Sequence, residues 1–234
     1  MWSVLRPFIT IVVFTLVFNK LGNFHAGNGV PYAIMVCAGM LPWQFFSNAF
    51  GESAGSLVAN SNLLTKVYFP RLIVPSSTII VSLIDFFISF LILAGLFVYY
   101  QYLPGVRIFF LPLFLILATV TAMGSGLFIA ALNVKYRDFR YVIPFIIQIG
   151  LYISPVGFNS QAVYSSEKIP RFLKHVYALN PMVAVIDGFR WSILGEKISG
   201  NLFDFCLSLA VSLVLLLIGI WYFRRMEKTF ADII

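Results

Sequence analysis

The sequence predicts an all-α polytopic membrane protein with six transmembrane helices, cytoplasmic coupling helices, and outer re-entrant helices between spans five and six. Three observations lead there. Between Ile73 and Leu132 two apolar runs of spanning length are interrupted only by Gln101 to Arg107. Hydrophobic residues form 60% of the chain against 11% charged, and the mean hydropathy is +0.93. The excess positive charge, +7 in all, sits in short clusters between apolar runs. A hydrocarbon core of about 30 Å takes about 20 helical residues to cross. Backbone facing lipid has no water to bond, so each crossing must be a helix. The basic clusters set orientation rather than bind nucleic acid.

The first span covers residues 2–18. Arg6 ahead of Phe8 to Phe18 imitates a signal peptide, but Phe24-His25-Ala26 lacks the small residue expected three places before a cleavage point, so the segment reads as retained. The second span is 32–50. The third, 73–100, holds one ionisable residue, Asp85, and the fourth, 108–132, holds none. The fifth, 142–156, is short at about 15 residues and borrows length from its flanks. The sixth is 202–223. With no linker long enough to set off a soluble unit, residues 1–234 read as one membrane domain.

An even number of spans puts both termini on one side. Lys66 and Arg71, then Lys135, Arg137 and Arg140, then Arg224, Arg225 and Lys228 all fall on that side. Opposite them Lys20 and Arg107 stand alone, and Lys168, Arg171, Lys174, Arg190 and Lys197 are diluted through a long segment. Short-loop cations mark the cytoplasmic face, so both termini are predicted cytoplasmic.

Three connections are too patterned to be slack chain. Gly51 to Pro70 carries Leu57, Leu63, Leu64, Val67 and Tyr68 near helical spacing with Asn60, Ser61 and Asn62 as capping groups, and predicts a short amphipathic helix. It is either an interfacial helix or a docking helix for a cytoplasmic partner. Asn133 to Tyr141 sets Asp138 among Lys135, Arg137 and Arg140, a topology anchor or a partner contact. Gly157 to Asn201 is too apolar for a solvated loop and too charged for two crossings. Asn180-Pro181 punctuates it, which predicts two short helices that dip into the outer leaflet and return, either a flat cap or a gate.

Catalytic chemistry is not written into the chain. Its nine acids never stand closer than five residues apart, His25 and His175 are isolated, and no metal, nucleophile-elbow or P-loop motif occurs. Cys37 and Cys206 lie in apolar runs and read as small buried hydrophobes. Asp85, with no second titratable group expected near it in the spans, is either a proton relay or a hydrogen-bonded packing residue. Trp2, Trp43, Tyr99, Tyr100, Trp221 and Tyr222 read as interfacial belt residues, and a minority of the rings could line a conduit.

Five segments in order, LPWQFF at Leu41 to Phe46, NLLTKVYFPRLIVP at Asn62 to Pro75, LNVKYRDFRYVIPF at Leu132 to Phe145, SPVGF at Ser154 to Phe158, and ALNPMVAVIDGFRWSILG at Ala178 to Gly195, resemble the permease subunit of ABC-2 type exporters for polysaccharides and polyol phosphates. That group covers O-antigen, capsule and teichoic acid export. The resemblance spans nearly the whole chain. It implies a homodimer of six-span subunits in a bacterial inner membrane, joined to two copies of a separate ATPase subunit that holds ATP and magnesium. It also implies a lipid-linked polymer as substrate. By the same resemblance Asn62, Lys66, Arg71, Lys135, Arg137, Asp138 and Arg140 contact the ATPase, and Pro155, Asn180, Pro181 and Arg190 shape the outer gate. Family members usually open with a cytoplasmic amphipathic helix, whereas this sequence starts at Met1-Trp2, almost inside the first span. A permease of the same fold for a drug or lipid, and a membrane glycosyltransferase or acyltransferase, are the rival readings.

Overall fold

The computed structural model describes Ile9, Val13 and residues 31–66, 69–136, 138–196, 198, 200–228 and 230. The first predicted span, residues 2–18, lies outside these apart from Ile9 and Val13, and so does Arg137. Among the described residues every regular element is helical. The order is α1 (Tyr32–Ala59), α2 (Ser61–Lys66), α3 (Ile73–Tyr99), a 3-10 turn (Val106–Phe110), α4 (Leu111–Lys135), α5 (Phe139–Ile153), α6 (Gln161–Ser165), α7 (Arg171–Ala178), α8 (Pro181–Leu194) and α9 (Leu202–Glu227). Four of these stretches, α1, α3, α4 with its preceding 3-10 turn, and α9, are long and apolar enough to cross a membrane.

Helix α1 is the axis of the bundle, packed on α3, α4, α5 and α8. From Tyr32 to Trp43 it is buried on every side, because each face of the turn meets a neighbour. Trp43, expected at a lipid interface, is instead 5% exposed. Its ring lies where a Cβ on Gly150 of α5 would stand 2.6 Å from Cη2. The helix also runs past its predicted end at residue 50 to Ala59, reducing the expected amphipathic helix to the six residues of α2. Small residues allow this: Ser53 packs on Gly126 of α4, where a Cβ would come within 2.7 Å of Ser53 Oγ. The buried Asn133 amide of α4 donates to Ala54 O at 3.1 Å, fixing the extension.

Helices α4 and α9 cross at closest range through glycine. A Cβ on Gly124 would lie 2.5 Å from Leu216 N, and one on Gly219 would strike the Gly124 carbonyl oxygen. Lipid offers no hydrophobic drive between apolar helices, so such backbone proximity, with its dispersion contacts, holds them together. Thr121 Oγ1 adds a bond to Ser212 Oγ at 3.1 Å across the same seam. Hydroxyls elsewhere in α3 and α4 donate back to carbonyls of their own helix, as Ser76 does to Leu72 O and Thr119 to Leu115 O, so they enter an apolar surround already satisfied. The outward faces carry Ile80, Ile84, Phe87 and Leu91 of α3 and Leu213, Leu217 and Trp221 of α9, all exposed. A continuous apolar face of this extent suits lipid, not water.

The helices alternate in direction, so the molecule has two ends. At the basic end Arg71, just before α3, meets the last turn of α9: its backbone N–H reaches Glu227 Oε1 at 3.3 Å, its guanidinium donates to Glu227 O, and it lies over the Phe230 ring at 6.0 Å. At the opposite end, the crown, the start of α1, the α3–α4 connection and helices α6 to α8 meet. There Tyr102 Oη donates to Ile193 O at 3.3 Å and Arg107 donates to Gly195 O at 3.0 Å while lying over Trp191 at 5.4 Å. Helix α5 begins and ends three residues before the predicted fifth span, because residues 154–158 are claimed by side chains of the crown.

Substituting Gly219→Leu forces α4 and α9 apart. The expected result is a loss of about 3 kcal/mol or more, read as a lower melting temperature of the detergent-solubilised protein, whereas Leu217→Ala on the exposed face of the same helix leaves it nearly unchanged.

Candidate functional site

The crown is built around a turn that leaves its own carbonyls without helical partners. After α5 ends, residues 154–158 run in non-helical backbone through buried surroundings, with Ser154, Pro155 and Val156 all buried. Three successive carbonyls are then capped by side chains. Arg190 of α8 donates from Nη2 to Val156 O at 2.9 Å and from Nη1 to Phe158 O at 2.6 Å, and Tyr32 Oη donates to Gly157 O at 3.0 Å. Buried backbone acceptors left unpaired are costly, and a guanidinium with five N–H groups in a fixed fork can serve two at once. Arg190 is 2% exposed. Gly39 makes room for it: a Cβ there would stand 2.9 Å from Nη2 and 3.0 Å from Val156 O.

Around this clamp the remaining crown residues lock to one another. Asn180 caps α8 by accepting from Met182 N at 3.0 Å, with Pro181 in the first turn where its missing N–H costs nothing. The Asn180 amide also donates to Ser154 Oγ at 2.9 Å, joining the α8 cap to the turn. The Ser160 hydroxyl donates to Asp187 Oδ1, and Ser208 Oγ of α9 donates to Ala178 O at 2.6 Å. Asn159 donates to Glu196 Oε2 at 3.0 Å. Burial pushes the Glu196 carboxyl above its usual range, with the Arg190 charge and the Asn159 bond pulling the other way. Burial, then the charges of Asp204 and Asp187, raises the Tyr164 phenol.

Pro155, Asn180, Pro181 and Arg190, predicted from sequence as one group, therefore converge on one turn. Sequence reasoning missed Tyr32, Gly39, Ser154, Ser160, Asp187 and Glu196. Asp187 and Arg190, one turn apart in an otherwise apolar helix, were the available signal. His175, expected to be isolated, has Nδ1 2.6 Å from Asp204 Oδ1, and Asp204 is buried in the first turn of α9. Cys206 is exposed rather than buried, while Cys37 is buried as expected.

At the basic end, the Asn133–Ala54 bond sets the end of α4 beside the end of α1, so the two predicted coupling segments share one face. Asn62 and Lys66 lie on the exposed surface of α2. Lys135 ends α4 over the Tyr136 ring at 5.1 Å. Asp138 precedes the first turn of α5 and Arg140 lies within it, both exposed. Arg71 differs from the others in being tied to Glu227, a bond that braces α3 against α9. Asp85, in the middle of α3, belongs to neither end. Its expected isolation does not hold, since Glu52 of α1 lines the same cleft.

Removing the Arg190 guanidinium orphans two buried carbonyls. Arg190→Leu is expected to cost about 3–5 kcal/mol and to lower the melting temperature sharply, with Arg190→Lys recovering a minor part because a point charge cannot serve both acceptors.

Comparisons with known proteins bear on this architecture. The family model for the ABC-2 type transporter matches residues 1–194. The O-antigen export system permease protein RfbA of Myxococcus xanthus is 26% identical, over 99% of this chain and 86% of its own length. A Klebsiella pneumoniae protein of the same name is 22% identical over 100% of this chain and 86% of its own length. The polysialic acid transport protein KpsM of Escherichia coli is 23% identical over 97% and 86%. With a matched stretch reaching through α8, and four helices fit to cross a membrane, the chain belongs to the ABC-2 type transporter family of membrane permeases.

Proposed function

We propose that the chain is the permease subunit of an ABC exporter that moves a lipid-linked polysaccharide or polyol phosphate outward across the bacterial inner membrane, driven by ATP hydrolysis on a separate ATPase subunit. The observation that carries this reading is the division of the molecule into a braced crown and a basic end on which both predicted coupling segments lie side by side. Relatives aligned over nearly the whole chain are named for O-antigen and polysialic acid transport, which favours a polymer over a drug.

The basic end faces the cytoplasm in this reading, and α2 with the α4–α5 turn seats on the ATPase. Exposed Asn62, Lys66, Lys135, Asp138 and Arg140, together with Arg137, supply the contact. The spans respond because the ATPase binds the two loops differently in its closed and open states, and only such differential binding shifts a conformational equilibrium. Six crossings follow when residues 2–18 form the first and α5 the fifth. Fifteen residues give α5 about 22 Å of rise, short of the hydrocarbon core, so the turn at 154–158 sits below the outer surface. Helix α5 leaves Tyr141, Phe145 and Tyr152 exposed, and a second copy of the subunit covers that face to enclose a ring-lined conduit.

The outer re-entrant reading is supported by the apolar face that α7 turns outward. Phe172, Leu173 and Val176, with Leu179 just beyond, point outward at 43–73% exposure. Lys174 is half-buried, its Nζ donating to Tyr164 O at 2.7 Å, and His175 meets Asp204 while its side chain stays 44% exposed. A helix that turns this apolar face outward beside an exposed Arg171 is arranged for the boundary between hydrocarbon and headgroups.

Two measurements test the proposal. The double reversal Arg137→Glu with Asp138→Lys is expected to lower transport-coupled ATPase activity about tenfold with membrane insertion intact; unchanged ATPase activity and polymer export would remove the coupling role. In the full protein, Phe172→Trp fluorescence is expected to be quenched by brominated lipid and not by aqueous iodide. The opposite pattern places α7 in water.

A further inference from the structure

Helix α9 turns two unlike faces to its surroundings. Ser208, Ser212, Gly219 and Phe223 are buried against the bundle, Gly219 at the crossing with α4. On the opposite side Leu213, Leu217, Trp221, Arg224 and Lys228 recur at intervals of three and four, so they share one face, and all are exposed. Exposed Arg225 stands beside them. The strip is apolar along the body of the helix and ends in three cations. From Leu202 to Arg224 the helix rises about 33 Å, close to the thickness of a hydrocarbon core. The change from apolar to cationic therefore falls where acyl chains give way to headgroups.

Among the described residues none of Arg224, Arg225 and Lys228 has an ion-pair partner. Both acids of α9 are engaged elsewhere: Asp204 is buried at the far end against His175, and half-buried Glu227 accepts from the Arg71 N–H at 3.3 Å. Cations at a helix C-terminus ordinarily serve its free carbonyls. Here the Arg71 guanidinium already takes Glu227 O. Arg225 instead overlies the Trp221 ring at 5.5 Å, which keeps a guanidinium at the end of the apolar strip. A guanidinium binds phosphate oxygens through paired N–H groups, and a tryptophan at this height suits the junction of chains and headgroups.

We propose that the end of α9 is a binding site for an anionic phospholipid, whose acyl chains lie along Leu213, Leu217 and Trp221 and whose headgroup is held by Arg224, Arg225 and Lys228. Continuity favours a lipid over a soluble anion. The surface suited to chains and the cations suited to a headgroup are successive turns of one helix face, so one molecule touches both. Charge favours an anionic lipid over a zwitterionic one, because the latter brings its own cation to three uncompensated positive charges. A lipid held there fixes the depth of the α9 end, whose inner side Arg71 braces. The site needs only that α9 crosses the membrane, which its length and composition allow, and does not rest on the transport reading.

Native mass spectrometry of the detergent-solubilised full-length protein, titrated with phosphatidylglycerol or phosphatidylcholine, tests the site. Phosphatidylglycerol is expected to bind about tenfold more tightly. Arg224→Gln, Arg225→Gln and Lys228→Gln together bring it to the level of phosphatidylcholine with the melting temperature unchanged. Removing equal charge at the same end, by Lys66→Gln, Lys135→Gln and Arg140→Gln, leaves the preference in place. Leu213→Ser with Leu217→Ser weakens both lipids severalfold. Equal affinity for the two lipids, or equal loss in the two triple variants, overturns the proposal. Displacement by millimolar inorganic phosphate with no effect of the serine pair assigns the cations to a free anion and overturns it too. Loss of a co-purifying ATPase in the α9 triple variant, with lipid preference unchanged, gives the cations to a protein partner instead.

Discussion

Backbone carbonyls that lose their helical partners in an apolar surround must be paid for by side chains, and the crown is arranged around that requirement. Residues 154–158 reverse the chain after α5, and the acceptors at Val156, Gly157 and Phe158 are met by Arg190 and Tyr32. From this follow the burial of Arg190, the missing side chain at Gly39, and the position of α8, which must deliver the guanidinium from its third turn. Asn180 then does double duty, capping α8 and holding Ser154. A turn made this way is stiff, because moving it exposes several acceptors at once.

The body of the bundle solves the same problem differently. In α1, α3, α4 and α9 the helix itself pairs the backbone, hydroxyls such as those of Ser76 and Thr119 return their protons to the preceding turn, and close contact is left to small residues. Gly124 against Gly219, and Gly126 against Ser53, allow backbones to approach where a larger residue would hold them apart. A stiff crown on closely packed helices gives the basic end a lever. Displacing the Asn133–Ala54 junction moves α1 and α4 together, and α1 carries Tyr32 at its far end. That continuity is the physical basis on which a displacement at the basic end reaches the turn.

Much of the site was visible in the residues. Asn180-Pro181 punctuates the crown segment into two helices, while Arg190 was grouped with it only through the family resemblance. What it could not reveal was which acceptors, since Val156 and Phe158 are ordinary apolar residues whose carbonyls alone matter. Trp43 looked like an interfacial ring because aromatic content does not distinguish lipid contact from packing against Gly150. Arg71 looked like one cation among a coupling cluster, and its bond to Glu227 depends on α9 ending beside it. Asp85 looked solitary because Glu52 falls on a helix expected to stop at residue 50.

The one-dimensional pattern, by itself, determined that long apolar runs become helices, where their charged ends lie, and which polar residues interrupt the crown segment. Hydropathy and local capping are short-range properties, written in neighbouring residues. The tertiary structure alone decided how far α1 runs, where α5 stops, which carbonyls Arg190 serves and which carboxylates share a cleft. Each of those depends on side chains from distant segments meeting at a few ångströms, and distance in space is not encoded in spacing along the chain.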